Sequence, residues 1–331
     1  MRHAALALLL TLGPLACAVL AEKNLVGEKA PDVTCPQWVN TDQHPSLTGL
    51  KGRPVLVVLW GMECQVCMCR DVLRKCESLY GKYRKRGLEI LGLHLHHTGR
   101  WKTDMYALKN NLTFPIGEGG YHMGYGVKQV PRLFLVDKEG VVIWQGDDLG
   151  GDFTRKLTGE LRGVDFMGET KLPKSLSRVK QLLVQRKFGK AIEKMIDFAA
   201  DVEKPEEERK AVRAFKEKLE NQGDSLYLRA TSLVRTGDPA RGLALLERLT
   251  IEYKGHPHGR KAVKRLDDFR KDPELKAPLK AADLYRQMRQ AVRAGNPRSF
   301  AARARLLLTR HSKTKYARWA EKLVEVYDQV E

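Results

Sequence analysis

Aromatic residues are scarce in this sequence, at 7%, and beyond its opening segment it has no apolar run long enough to cross a bilayer. It has no low-complexity tract and no excess of proline or glycine, which excludes a disordered or fibrous chain. Acidic residues are outnumbered, 40 to 59. Cysteines are few, six in all, and four of them stand at positions 64, 67, 69 and 76. What is present suffices for packed cores: 331 residues, 43% of them hydrophobic, match two domains at roughly 150 residues each.

The opening segment reads as an export signal. Arg2 and His3 give a short positive start, and Ala4 to Leu12 is apolar but too short for an ordinary span. Two small-residue exits follow, at Ala16-Cys17-Ala18 and at Val19-Leu20-Ala21. Cleavage is expected after the second, making residues 1–21 a signal peptide. An uncleaved anchor stays open as the alternative, and lipidation of Cys17 is disfavoured by Pro14 and Leu15 before it. The expected location is the periplasm or cell envelope, where disulfides persist.

The positive charge is uneven. Residues 1–169 carry 21 Lys and Arg against 18 Asp and Glu, whereas residues 170–331 carry 38 against 22. Such charge commonly marks a nucleic-acid partner, but export argues against one. An acidic protein or an anionic envelope surface fits better, with a merely solvated basic helical face equally open.

The two halves differ in hydrophobic period. From about Ala30 to Leu149, short β-like runs alternate with helical stretches. Pro54 to Trp60 is continuously apolar, as in a strand covered on both faces. A helix is expected from Cys64 to about Lys82, a strand at Leu88–Leu95, and a helix at Lys102–Asn110. A strand at Arg132–Val136 should then pair in a hairpin with Val141–Trp144 across the turn Asp137-Lys138-Glu139-Gly140. This order predicts a mixed sheet with a parallel crossover. After about Thr154 the pattern is helical: Pro173–Phe198, Leu226–Arg235, Ala240–Tyr253, Lys261–Phe269, Leu284–Ala294, Arg298–Thr309 and Lys315–Val330. Gly237-Asp238-Pro239 and Gly295-Asn296-Pro297 each place a capping residue before a helix-starting proline. Their separation of 58 residues is not the period of about 34 of tetratricopeptide repeats, so an irregular, tetratricopeptide-like array of helical hairpins is expected. The expected domains are 22–153 and 154–331.

Cys64-Gln65-Val66-Cys67 follows a buried-type strand and stands where the next helix begins. A first helical turn has unpaired N–H groups and a positive dipole end, and both stabilise a thiolate. Cys64 is thereby expected to be the nucleophile and Cys67 the thiol that resolves the mixed disulfide.

Residues from about Lys29 to Gly146 resemble the TlpA/ResA group of exported thioredoxin-like proteins, also called redoxins. The matching segments are Gly27-Glu28-Lys29-Ala30-Pro31-Asp32, Leu50-Lys51-Gly52-Arg53-Pro54-Val55-Leu56-Val57, Trp60 with Cys64 to Arg70, Phe114-Pro115, Tyr125-Gly126-Val127, Val130-Pro131 and Phe134-Leu135-Val136-Asp137. The resemblance implies a thioredoxin fold, no cofactor, and a redox role in the envelope. It also implies that Pro131 is a cis-proline facing the dithiol and the incoming substrate. The implied partners are cysteine-containing envelope proteins and an upstream thiol electron donor. Gln65-Val66, Glu63, Arg132 and Val72 depart from the family's commoner residues. A carboxylate at Glu63 would raise the neighbouring thiol's pKa, and Arg132, if it faces the dithiol, would act the other way.

The remaining thiols read differently. Cys69 and Cys76 lie seven apart on one helix, roughly 10 Å along its axis, and cannot bridge. Cys76 reads as a small buried hydrophobe and Cys69 as a bystander, while Cys35 is a candidate to pair with one of them. Disulfide exchange has three rivals. Cys64, Cys67 and Cys69 with His94, His96 and His97 would suit copper or zinc, as in a metallochaperone on this fold. A peroxidase would need a Thr and a Pro before its reactive cysteine, and Trp60 to Gln65 contains neither. A redox-silent scaffold has no need of two thiols. The expected function is therefore an envelope thiol–disulfide oxidoreductase acting as a reductase.

Overall fold

The computed structural model describes residues 23–41, 43–62, 68–120, 123–162 and 172–330. Within them the chain forms β1 (Gln37–Val39), β2 (Val55–Trp60), α1 (Met68–Tyr83), β3 (Glu89–His94), α2 (Arg100–Lys109), β4 (Ile116–Glu118), β5 (Arg132–Val136), β6 (Val142–Gly146) and α3 (Gly151–Glu160). The sheet order is β1-β4-β3-β2-β5-β6. Strands β2, β3 and β4 run parallel, and β1, β5 and β6 join antiparallel to their neighbours. This is the expected thioredoxin-like sheet with two further strands, β1 and β4. Each is three residues long, too short to show a period.

All six residues of β2 are buried. Because successive side chains point to opposite faces, Leu56, Val58 and Trp60 enter one core while Val55, Val57 and Leu59 enter another. The first core holds the apolar stripes of α1, α2 and α3, including Leu73, Cys76, Met105, Leu108 and Phe153. The second lies beneath the N-terminal segment, with Leu25, Val33, Cys35 and Tyr125.

Eight helices follow among the described residues: α4 (Ser177–Val184), α5 (Phe188–Ala200), α6 (Glu206–Arg235), α7 (Pro239–Glu252), α8 (Pro257–Lys271), α9 (Lys276–Arg293), α10 (Pro297–Arg310) and α11 (Lys315–Val326). Several expectations need correction. The stretch Pro173–Phe198 is not one helix: Arg186 takes a left-handed conformation (φ 55°), and Lys187 N–H turns back to Leu182 O. The helix expected at Leu226 begins twenty residues earlier, at Glu206. Its polar first half still buries Val212, Phe215 and Leu219 at helical spacing, and Gly223 continues it without a break. A Cβ at Gly223 would lie 2.8 Å from the His258 ring, so this glycine serves close packing and ends nothing.

Of the two matching helix starts, Asn296 caps as expected, accepting from Ser299 N–H at 2.9 Å. Asp238 does not cap. It is fully buried, and its Oδ1 accepts from the Tyr316 hydroxyl at 2.6 Å.

Helices α4–α8 close a core of their own, with Val179, Ile192, Met195, Phe215, Leu246, Leu249 and Tyr253. Helices α9–α11 instead share the first core of the sheet: Met288 and Leu323, both fully buried, belong to the cluster that contains Met105 and Leu108. Polar contacts fasten the same surface. Arg289 grips the Asp104 carboxylate of α2 with both guanidinium nitrogens, one at 2.9 Å. Lys109 Nζ donates to the carbonyls of Tyr327 and Val330. No helix among the described residues is long and apolar enough to cross a membrane.

Candidate functional site

The strand register fixes where the candidate chemistry gathers. Leu59 pairs with Arg132 and Trp60 with His94. The C-terminal end of β2 is therefore flanked by the start of β5 on one side and the end of β3 on the other. In open α/β sheets, ligands bind at this carboxyl edge. The Val130–Pro131 peptide immediately before β5 is cis, so Pro131 has the geometry expected of it and stands beside the end of β2. Cys64 and Cys67, with Glu63, Gln65 and Val66 around them, lie outside the described residues. The chain is described up to Met62 and again from Met68, the first residue of α1.

Beside this edge sits a buried polar group that the sequence did not reveal. The His94 side chain is fully enclosed. Its ring lies against Trp60, centroids 4.7 Å apart. The backbone N–H of Met62 donates to His94 Nε2 at 3.1 Å, and Nδ1 stands 2.7 Å from Glu118 Oε2. A ring nitrogen that accepts cannot carry hydrogen, so the proton sits on Nδ1 and is donated to Glu118. Glu118 accepts two further bonds, from Thr103 Oγ1 at 2.7 Å and from Gly99 N–H at 3.0 Å. Burial alone would raise this carboxyl, but the bonds from His94, Thr103 and Gly99 outweigh it and hold its pKa below the ordinary glutamate value. His96 packs against the same segment. A Cβ at Gly61 would come within 2.2 Å of the His96 ring, an exposed side chain that would have to shift to admit it.

The geometry bears on one member of the metal reading, His94, whereas Cys64 and Cys67 of that set lie outside the described residues. Both ring nitrogens of His94 are committed to protein partners, so it has no lone pair to offer an ion. Among the described residues no group of three or more His, Cys, Asp or Glu is placed to hold a metal. The bland alternative, an ordinary polar residue at a strand end, fails for His94 as well. Glu118 and Thr103 carry no signal in the sequence, because the residues that meet here come from β3, β4 and α2 and no local spacing links them.

Cys35, Cys69 and Cys76 are sealed. Cys76 is fully buried, and burial, reinforced by Glu77 and Asp148, pushes its thiol far up. Cys35 is buried against Gly117, where a Cβ would meet its sulfur at 2.4 Å. Burial and then Glu118 push the Cys35 thiol up to about 12. Thiols so raised carry almost no thiolate at neutral pH. Pairing of Cys35 with Cys69 or Cys76 is excluded by placement: Cys35 lies in the core on one face of the sheet, the other two in the core on the opposite face.

A cavity of about 540 Å3 lies elsewhere, between β1 and α2 on one side and α7, α9 and α11 on the other. Trp60, His94 and Pro131 are not among its lining residues.

Residues 26–145 match the AhpC/TSA family. Over 154 residues the sequence is 32% identical to a thiol-disulfide oxidoreductase ResA of Bacillus thuringiensis (strain Al Hakam), covering 43% of this chain and 80% of that protein. The figures are the same for a ResA of Bacillus anthracis. A ResA of Geobacillus thermodenitrificans is 32% identical over 120 residues, 35% of this chain and 66% of the relative.

Proposed function

The chain belongs to the ResA-type thiol–disulfide oxidoreductases, and from that membership we propose that residues 22–153 exchange disulfides through Cys64 and Cys67. The Cys64 thiolate attacks one sulfur of a substrate disulfide. A mixed disulfide forms, and the substrate's other sulfur leaves as a thiolate. Cys67, once deprotonated, attacks Cys64 Sγ, which frees the substrate as a dithiol and leaves the Cys64–Cys67 pair oxidised. Two electrons have passed to the substrate, and an upstream thiol donor restores the pair. Pro131 faces the substrate in this scheme, its backbone open to an extended substrate segment.

The observation that carries this reading is the strand register. It brings the start of β5, with Pro131, beside the end of β2, where the Cys-x-x-Cys segment follows in sequence. The sealing of Cys35 and Cys76 supports it, since neither competes as a nucleophile. The direction is reduction, and the setting is the cell envelope, reached by way of the signal segment at residues 1–21. The basic helical half, residues 154–331, positions the redox unit on an acidic protein or an anionic surface.

Insulin reduction with a dithiol donor tests the chemistry. The wild type should precipitate the insulin B chain, and Cys64→Ser should not. Cys67→Ala should accumulate mixed disulfides through Cys64 that dissolve on adding a reductant. A wild type without reductase activity, and a Cys67→Ala variant that traps nothing, would sink the proposal. The reduction potential settles direction: a value well below that of the envelope's disulfides supports a reductase, and a high one an oxidase.

A further inference from the structure

We infer that His94 is a positioning residue for the dithiol: it holds the backbone of Met62, and through it the first thiol, in place for exchange. The inference rests on the disulfide-exchange reading and assigns a role that the dithiol motif itself does not contain. The ladder between β2 and β3 ends where Leu95 N–H meets Trp60 O, at 3.0 Å. Past that point the strand no longer directs the chain, yet Cys64 is only four residues on. The Met62 N–H, the last backbone donor described before the dithiol, is taken by a side chain, His94 Nε2.

That side chain cannot swing. It is fully enclosed, its ring packs on Trp60, and its other nitrogen is held by Glu118. Glu118 is held in turn by Thr103 and by Gly99 at the start of α2. The approach to the dithiol is thus tied through three groups to a helix on another part of the sheet. The exposed His96 ring lies close to the same approach, its nearest atom 2.2 Å from where a Cβ at Gly61 would stand.

The bonding also says what His94 does not do. With Nε2 accepting from Met62 and Nδ1–H donating to Glu118, neither nitrogen is free to take a proton from Cys64 or Cys67. It acts through backbone position and is not a general base. A fixed first shell needs such a second layer, because errors of about 1 Å in a reacting group cost up to about a hundredfold in rate.

Three substitutions separate position from bulk stability. Gln can set its amide oxygen where Nε2 stands and still accept from Met62. Asn can reach only the Nδ1 position, keeping the bond to Glu118 and losing Met62. Phe keeps the ring shape and loses both. Each variant is compared with wild type for Cys64 alkylation by iodoacetamide, read by peptide mass, across pH, and for reduction potential against glutathione. His94→Phe should slow Cys64 alkylation about tenfold and shift the potential. His94→Gln should recover most of the loss, and His94→Asn little of it. A folded His94→Phe protein with unchanged Cys64 reactivity, or equal values for the Gln and Asn variants, overturns the inference.

Should the variants not fold, the wild type supplies the test. Its His94 nitrogens should report the Nδ1–H tautomer by NMR, and the Met62 amide signal should shift when the Cys64–Cys67 pair is reduced. The opposite tautomer, or a Met62 amide indifferent to the redox state, overturns it equally. A wild type that lacks insulin reductase activity overturns the exchange reading itself, and this inference with it, whichever way the His94 variants behave.

Discussion

Helices α4–α8 and helices α9–α11 look alike in sequence, yet they differ in what they bury. The first set closes a core of its own. The second has no separate core. Its apolar faces complete the one that lies on the sheet, around α1, α2 and α3. The difference teaches that the second half of the chain is not one energetic unit. One part can open while the sheet stays folded; the other cannot leave without exposing α2.

The largest expected effect comes from matched cavities in the two cores. Leu323→Ala and Leu246→Ala each remove a fully buried leucine and should each cost about 3 kcal/mol. The comparison holds if the first loss appears as lower global stability in urea with faster hydrogen exchange in α2. The second should appear as faster exchange confined to α4–α8, with insulin reduction unchanged. Equal exchange patterns in the two variants would break it.

Next comes the ion pair between α2 and α9. Asp104→Ala strands the Arg289 guanidinium, whose side chain is 24% exposed against 7% for its partner. Removing one member of such a pair should cost about 3 kcal/mol. Adding Arg289→Met should recover part of that, and a double-mutant cycle in urea reads the coupling.

The link between the two helical sets is weaker. Tyr316→Phe removes the buried bond from α11 to Asp238, just before α7, and should cost about 2 kcal/mol, as expected for a bond to a carboxylate. Hydrogen exchange should quicken in α7 before it does in α2.

The smallest effect lies on the other side of α2. Thr103 is the neighbour of Asp104, yet it bonds Glu118 beside the candidate site. Thr103→Val should cost about 1.5 kcal/mol at pH 7. The Glu118 carboxyl is held below its ordinary value, so its contribution to stability is complete above the unfolded glutamate value of about 4.3. It is lost as pH falls through the lower folded value. The difference between variant and wild type should therefore be full at pH 7 and shrink in urea titrations below about pH 4.

Legibility in the sequence followed the reach of each interaction. The apolar run Val55–Trp60 announced a central strand because both faces of β2 are buried, a property that composition alone records. Strands β1 and β4 stayed hidden, since three residues show no alternation. Asn296 and Asp238 stand in matching Gly-x-Pro contexts and read alike. Only the fold separates them, by bringing Tyr316 to one and leaving the other to its local cap. Pro131 was legible through its place in an ordered set of motifs. Glu118 and Thr103 were not, because each acquires meaning only when β4 and α2 meet His94.

By itself the sequence determined the elements that a local period or a turn can specify, and the dithiol motif with its family resemblance. The tertiary structure alone decided which helices share a core with the sheet, which thiols are sealed, and which imidazole holds the segment before Cys64. Burial and hydrogen-bond partnership between residues tens of positions apart depend on how strands and helices pack, and no stretch of chain carries that information within its own few turns.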